Sequence, residues 1–561
     1  MSISLHIPED PSRIEWDVAV IGTGMGGAAT GYGLAKLGRR VLFIEKGLFF
    51  HGKFHVQEDG SATLDENVLA QLADTTNERP EARLGIGRWP LRLQGKTSFG
   101  EHEFFAALGC GSGGTTSLYA AALERLFPAD FRPRANFPEV NDSTLPEQWP
   151  ITYEDLRPYY TQAEELFRVR GTRDPLGQGG EPILREPPGL SPRDQHFFES
   201  FGRLGLHPYR VHVGYEFVDG CAECAARLCP RGCKNDSGRI CLLPALERYG
   251  ASILPECEVL KLEAGKSEVR EIRCRRNGEE LSIRAKMVVL AAGAFMTPIL
   301  LLNSKSDAWP DGLANRSGLV GRNLMFHASD IIVVTPTKRL SNVGPQKSLA
   351  LNDFYYSEGE KLGTFQTMGM AVTPGQIMQY MRDVAERDPT WWKKLASPRP
   401  VWWRKLSSPV IRLIALAAYY LFNFKNAAMW ASIIEDLPYY DNRVIPDPQA
   451  QNGMRFEYRY TGELKTRTLS FRRRLAKALD PHRMIVLSGE NNINNGHVCG
   501  TCRFGEDPET SVLDKNNRAH DLANLYVVDA SFFPSSGGTN PSLTIAANAL
   551  RVAEAIHKQL G

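Results

Sequence analysis

Two residues toward the end of this 561-residue chain have side chains suited to handling a proton beside an alcohol. His497 lies in Gly496-His497-Val498-Cys499-Gly500-Thr501-Cys502, and Asn540-Pro541 follows 43 residues after it. Imidazole is the side chain whose proton affinity sits near neutral pH, so it can serve as a base. Asparagine cannot accept a proton, but it can orient a hydroxyl. A nucleotide-binding signature near the other end of the chain gives the pair a context, a base and its partner set against a bound dinucleotide. His482 and His520 have no such setting and read as structural or exposed.

A second group is Cys221-x-x-Cys224-x4-Cys229-Pro230-x-x-Cys233, with Cys241 soon after, half of the ten cysteines. Thiolates at this density can hold zinc or an iron–sulfur cluster. The spacing is unlike a zinc pair of pairs. The favoured reading is a tight loop of buried or redox-sensitive thiols with no metal. Cys221, Cys224, Cys229 and Cys233 stand as the iron–sulfur alternative, and zinc or a disulfide also stays open.

Residues 389–434 form a third. They contain Trp391, Trp392, Trp402, Trp403 and Trp430, seven lysines and arginines, and no acid. The apolar run from Leu413 to Phe424 is too short to span a bilayer, which takes about 20 apolar residues. It suits a segment lying in the membrane interface, tryptophans at headgroup depth and cations toward anionic lipid. A core helix with a basic edge is the alternative.

The elements that must position these residues are clearest at the N-terminal end. Asp17-Val18-Ala19-Val20-Ile21 reads as a buried parallel strand. Gly22, Gly24 and Gly27 follow in G-x-G-x-x-G spacing, then a helix over 28–37 closed by Gly38, then a strand over 40–45 ending on Glu45. The first glycine permits the tight turn, the second lets backbone approach a pyrophosphate, and the third lets helix and strand pack closely. The helix N-terminus offers free N–H groups to phosphate. Glu45 stands where a carboxylate accepts from ribose hydroxyls. The motif alone does not choose between FAD and NAD. Further strands are expected at 287–293 and 525–529, a glycine-rich turn entering a helix at 108–122, an acidic amphipathic helix within 149–167, and a long helix over 542–560.

Apolar residues make up 42% and charged residues 23%, which fits a globular protein with a large core. The length implies two large units. A net charge of +2 gives no bias toward nucleic acid. Met1 to Trp16 lacks a charged and then apolar leader, so the expected location is cytoplasmic, peripheral on the membrane.

Four segments together resemble the glucose–methanol–choline (GMC) family of FAD-dependent oxidoreductases over nearly the full length. They are the N-terminal fingerprint, Gly109 to Ser117, Gly293 to Leu301, and the run from His497 through Asn540. Lys305 departs from the family's second signature, where glycine is usual. Tyr119 stands near where sterol-oxidising members often carry asparagine, which weakens a sterol assignment. The resemblance implies an α/β fold (α+β taken whole): a Rossmann-like FAD-binding domain, with a discontinuous substrate-binding domain built on an antiparallel sheet with helices. The expected boundaries are 1–130, 236–330 and 496–561 for the first, and 131–235 and 331–495 for the second. Gly111, Gly113, Gly114 and Thr115 would wrap the FAD pyrophosphate and ring edge, Val259 would meet the adenine, and Asp529 the ribityl–phosphate portion. His497 matches the family's catalytic histidine and Asn540 its partner. Pro541 would open a helix whose positive end favours the anionic reduced flavin. The expected reaction is oxidation of a CH–OH group, hydride passing to flavin N5 and the proton to His497. The substrate is a small-molecule alcohol, sugar or lipid-like alcohol, and the acceptor a quinone or membrane cytochrome. A flavin-containing lyase and an oxygen-reducing alcohol oxidase are the rivals.

Overall fold

Residues 15–44 fold as their pattern dictates. The apolar run becomes the strand Glu15–Ile21, the small-residue stretch becomes the helix Met25–Lys36, and the chain returns as the strand Val41–Ile44. The computed structural model describes residues 7–50, 54–56, 62–64, 79–372, 416, 419–420, 424–489 and 492–561. Glu15–Ile21 pairs in parallel with Val41–Ile44 on one side and with Glu279–Leu290 on the other. Ser252–Leu254 and Leu525–Val527 extend the parallel sheet at its two edges. Val18, Ala19 and Val20 are fully buried, as strands covered on both faces must be. The first half of Glu279–Leu290 also pairs antiparallel with Val269–Arg276, which pairs with Cys257–Ala264.

The helix Met25–Lys36 packs on the terminal helix Ser542–Leu560, where Thr30 Oγ1 donates to Ala549 O at 3.2 Å. A third helix, Tyr153–Leu166, is started by the Thr152–Asp155 capping box and tied to the terminal helix by Tyr160 Oη and Thr544 Oγ1 at 2.7 Å. A nucleotide-binding sheet is thus assembled from the two ends and the middle of the chain.

A second, mainly antiparallel sheet runs in the order Arg483–Val486, Ile331–Thr335, Ala428–Glu435, Gly363–Ala371, Leu349–Leu351, Tyr209–Arg210, with His327–Ala328 alongside Ala428–Glu435. Its core includes Phe365 stacked on Trp430 at 4.7 Å between ring centres. A smaller sheet joins Leu93–Thr97 and Gly100–Phe104 to Met454–Tyr458 and Arg443–Pro446. The hairpin at 93–104, inside the expected 1–130 segment, therefore pairs with strands from the expected 331–495 segment. The fold is mixed α/β with a Rossmann-like sheet, as the sequence implies.

Two expectations need correction. Residues 108–122 do not run into a helix, and hold only the 3-10 turn Gly114–Ser117, because Gly111 and Gly113 adopt φ of +121° and +85° and leave the helical path. The basic, tryptophan-rich segment does not lie wholly at a surface, since Trp430 is a fully buried residue of the strand Ala428–Glu435. Trp391, Trp392, Trp402 and Trp403 lie outside the described residues, as does most of 413–424. Among the described residues no helix is long and apolar enough to cross a membrane.

Candidate functional site

The glycine turn shows why each glycine stands where it does. A Cβ on Gly22 would sit 2.4 Å from Ala291 O, just past the end of the neighbouring strand Glu279–Leu290. One on Gly27 would sit 2.1 Å from Gly22 O, so any side chain there would push the helix off the strand. A Cβ on Gly24 would meet nothing within 4 Å, so bare backbone faces an open cleft at the helix N-terminus. Glu45 closes the far side, its carboxylate accepting from Thr23 N at 3.1 Å, Thr23 Oγ1 at 2.6 Å and Gly47 N at 2.9 Å. That leaves acceptor capacity for a ribose.

This cleft is part of a cavity of about 680 Å³ that His497, Asn540 and Pro541 also line. Gly111, Gly114, Thr115, Val259 and Asp529 also line it. Gly113 does not, and instead packs on Ser117 and Asp236 beneath the loop. The size suits a large cofactor plus a small substrate, and the glycine-lined cleft fits a dinucleotide. Asp529 turns out to be an organiser of the wall. Its carboxylate accepts from Gly293 N (2.9 Å), Thr297 Oγ1 (2.5 Å), Ser531 N (2.9 Å) and Ser531 Oγ, which fills its acceptor positions. Pro541 holds the N-cap of the terminal helix, one position ahead of its first turn.

His497 closes a 3-10 turn, Asn495–His497, whose first residues are fixed by Asn494 Oδ1 accepting from Gly496 N at 3.0 Å. Cys499 then pairs with Met325 through both backbone bonds at 3.0 Å, which lays 497–499 alongside 325–327. His327 and His497 meet there, Nδ1 to Nδ1 at 3.1 Å with rings nearly perpendicular. Asn540 Nδ2 stands 3.5 Å from His497 Nε2. His497 is deep in the protein with part of its surface open to the cavity. Burial first, then the electrostatic influence of His327 and Lys347, holds its pKa well below the usual 6.5, so the ring is neutral at pH 7.

Asn540 is itself oriented. Lys347, 5% exposed, donates from its Nζ to Gln366 Oε1 at 2.7 Å and to Thr367 O at 2.5 Å. Gln366 must then turn its amide nitrogen outward, and Nε2 donates to Asn540 Oδ1 at 2.5 Å. Asn540 is left presenting its N–H to His497 Nε2. Burial brings the Lys347 pKa down to about 7, but amine and ammonium alike have hydrogens for two acceptors.

The segment carrying Asn540 is strapped by buried charge. Lys361 Nζ bridges Asp130 and Glu435, all three side chains at 0% exposure. Glu435 Oε1 accepts from Gly537 N at 3.3 Å, and Tyr355 Oη, which donates to Asp130 at 2.6 Å, accepts from Gly538 N at 3.0 Å. Gln366, Met368 and Met370 project from alternate positions of Gly363–Ala371 and line the cavity with Ala431 and Ile433 of the neighbouring strand. Sequence reasoning missed Gln366, Lys347 and His327. The only available signal was the period-two spacing of Gln366, Met368 and Met370.

The cysteine loop forms another part of the wall, through Ala225 and Ala226. Buried Lys234 Nζ ties it to the glycine loop by donating to Ser117 O, Cys224 O and Arg227 O at 2.7–2.9 Å. Cys221 and Cys233 Sγ are 3.2 Å apart, Cys229 and Cys233 3.4 Å. Two thiolates around a tetrahedral zinc would stand at about 3.8 Å, from a Zn–S bond near 2.3 Å. Among the described residues no group of three or more His, Cys, Asp or Glu is arranged to hold a metal ion. The iron–sulfur alternative thus finds no support in this arrangement of sulfurs. Cys499 and Cys502 are buried packing residues.

The sequence matches the GMC oxidoreductase family over residues 142–329 and 447–549, and the chain belongs to that family. It is 28% identical to 6'''-hydroxyparomomycin C oxidase of Streptomyces lividus over 97% of this chain and 92% of that protein. It is 27% identical to 2-methyl-1,2-propanediol dehydrogenase of Mycolicibacterium austroafricanum over 98% of this chain and 96% of the relative. In fold it is similar to the crystal structure of pyridoxine 4-oxidase from Mesorbium loti, with a TM-score of 0.61, 19% identity, and coverage of 97% and 99% of the two chains. The protein is an oxidoreductase acting on alcohol groups, with the FAD-binding Rossmann-like fold.

Proposed function

We propose that the protein oxidises a CH–OH group of a small hydroxylated molecule, with His497 as the base and Asn540 as the orienting group. The observation that carries this is the approach of His497 Nε2 and Asn540 Nδ2 to 3.5 Å in the wall of the same cavity that the glycine cleft lines. FAD, when bound, supplies the hydride acceptor. Asn540 N–H holds the substrate oxygen, and His497 Nε2 takes the hydroxyl proton as the carbon gives up its hydride, leaving a carbonyl compound. The neutral ring is ready for this at pH 7 because burial keeps it unprotonated. Gly24 and the N-terminus of Met25–Lys36 would hold the pyrophosphate and Glu45 a ribose, while the N-terminus of Ser542–Leu560 would favour negative charge on the reduced ring.

The wall of Gln366, Met368, Met370 and Ile433 pairs one polar side chain with apolar ones, which suits an alcohol with a hydroxylated end and a carbon skeleton. Relatives named for 2-methyl-1,2-propanediol and for 6'''-hydroxyparomomycin C support that class. Electrons pass on to a carrier such as a quinone or cytochrome, with the protein peripheral on the cytoplasmic membrane face. The support for this is the cationic, tryptophan-rich stretch from 389 to 412. Anaerobic mixing with a panel of 2-methyl-1,2-propanediol, paromamine, hexoses, sterols and long-chain alcohols should bleach the flavin with at least one member. A product formed while the flavin stays oxidised would replace oxidation with lyase chemistry.

A further inference from the structure

We propose that His327 is a positioning residue that fixes the proton of His497 on Nδ1 and so keeps the Nε2 lone pair facing Asn540 and the cavity. This rests on the reading of His497 as the base. The hydrogen-bond directions leave one consistent assignment. Gly537 O can only accept, and His327 Nε2 lies 2.9 Å from it, so His327 Nε2 carries a hydrogen. His327 is fully buried and neutral, so its Nδ1 holds a lone pair. His497 Nδ1, 3.1 Å away, must therefore donate to it. A neutral imidazole has one N–H, so His497 Nε2 is bare. Asn540 agrees from the other side, since its orientation by Gln366 and Lys347 presents an N–H to that same nitrogen. Two hydrogen-bond chains, one ending on a carbonyl that cannot donate and one starting from Lys347 Nζ, which donates to two acceptors, converge on one protonation pattern.

The arrangement also serves the charged state. When Nε2 takes the substrate proton, Nδ1–H stays bonded to His327, which shares the imidazolium charge without changing its own protonation. His327 keeps its place because its backbone pairs with Glu435, while Glu435 holds Gly537 N and Tyr355 holds Gly538 N next to it. The charged groups facing the pair are Lys361, Asp130 and Glu435 behind His327, and Lys347 across from His497.

The test uses holoenzyme with His327→Leu, His327→Asn and His497→Ala, and the panel alcohol that reduces the wild type fastest. Asparagine returns an amide oxygen to about the place of Nδ1, whereas leucine fills the volume with no acceptor. The leucine variant should keep its FAD, lose roughly 10²-fold in the rate of flavin reduction, and move the acid limb of the pH profile downward. The asparagine variant should recover most of that rate. Independently of any substrate, ¹⁵N NMR of histidine-labelled wild type should show the His497 signal, identified by its loss in His497→Ala, protonated at Nδ1. A wild-type signal protonated at Nε2 would overturn the proposal, as would a leucine variant with full FAD, an unmoved limb and wild-type reduction. If the leucine variant does not fold, the asparagine variant and the NMR spectrum decide. Unchanged turnover in His497→Ala would instead remove the base assignment, with the NMR result standing apart from it.

Discussion

Lys347→Met removes the start of the chain that orients Asn540 while nearly preserving side-chain length. Two buried acceptors, Gln366 Oε1 and Thr367 O, lose their donor. Each unsatisfied acceptor costs about 1–3 kcal/mol, partly offset because no amine has to be desolvated. The larger effect is on direction. With Lys347 gone, the Gln366 amide can reverse, and its oxygen would then face Asn540 Oδ1 across the present 2.5 Å contact. Asn540 relieves this by turning, which sets its oxygen against the His497 Nε2 lone pair at 3.5 Å. Substrate then loses one oriented hydrogen bond to its oxygen. Such a bond, with charge developing on the oxygen, contributes about 1.5–3 kcal/mol, or roughly a 10- to 150-fold fall in the rate of flavin reduction. Anaerobic stopped-flow absorbance reads that rate directly, and FAD stoichiometry and melting temperature check that the fold survives. Gln366→Glu is the companion, because it keeps an acceptor for Lys347 but cannot donate to Asn540, and it should be impaired at least as much. A Lys347→Met protein with full FAD and wild-type reduction would refute the orientation argument, and an unimpaired Gln366→Glu would do so separately.

His497→Ala should abolish substrate-driven reduction by 10²-fold or more with FAD still bound, and retained turnover would remove the base. Because burial lowers the His497 pKa and the neutral form acts, the rate should rise with pH along a limb lying below pH 6.5 and stay level above it, read from reduction rates across pH. Gly24→Ala should leave the melting temperature of the FAD-free protein unchanged but weaken FAD binding. Gly26→Ala, whose Cβ would lie 2.0 Å from Val528 O, should lower both, and equal melting temperatures for the two variants would contradict the packing. Burial lowers the His327 pKa to about 4, so the unfolded chain binds more protons below about pH 6.5. Stability should therefore fall as pH drops from about 6.5 to 4, by ~3 kcal/mol from this residue, and the fall should shrink in His327→Asn when melting is followed across pH. Replacing Trp402, Trp403, Arg404 and Lys405 together should release the protein from anionic liposomes, and unchanged co-sedimentation would count against membrane docking.

What could be read from sequence was local in origin. The unit from Asp17 to Glu45 and the terminal helix Ser542–Leu560 follow from neighbouring residues, so periodicity and glycine spacing revealed them. His497 and Asn540 were recognised by their surrounding residues, not by anything that told of their contact. The helix expected within 108–122 failed because apolar small residues favour one, while Gly111, Gly113 and Gly114, three glycines with positive φ, reroute the backbone around the cleft. Trp430 was misassigned because a count of charge and tryptophan over 389–434 cannot see that its last residues pair with Gly363–Ala371. Lys347, Gln366 and His327 were invisible for the same reason. Each acquires meaning only once strand register sets it opposite a residue up to 174 positions away.

The cavity wall is contributed by Gly24, Gly114, Val259, Ala292 and Pro541, one from nearly every stretch of the polypeptide. A ribosome that has delivered the first five hundred residues has therefore not yet made a place for the flavin, and loading must wait for the final helix to dock. Once seated, the cofactor holds distant parts of the chain to one another and favours the folded state by mass action, so flavin supply during expression should govern how much intact protein accumulates.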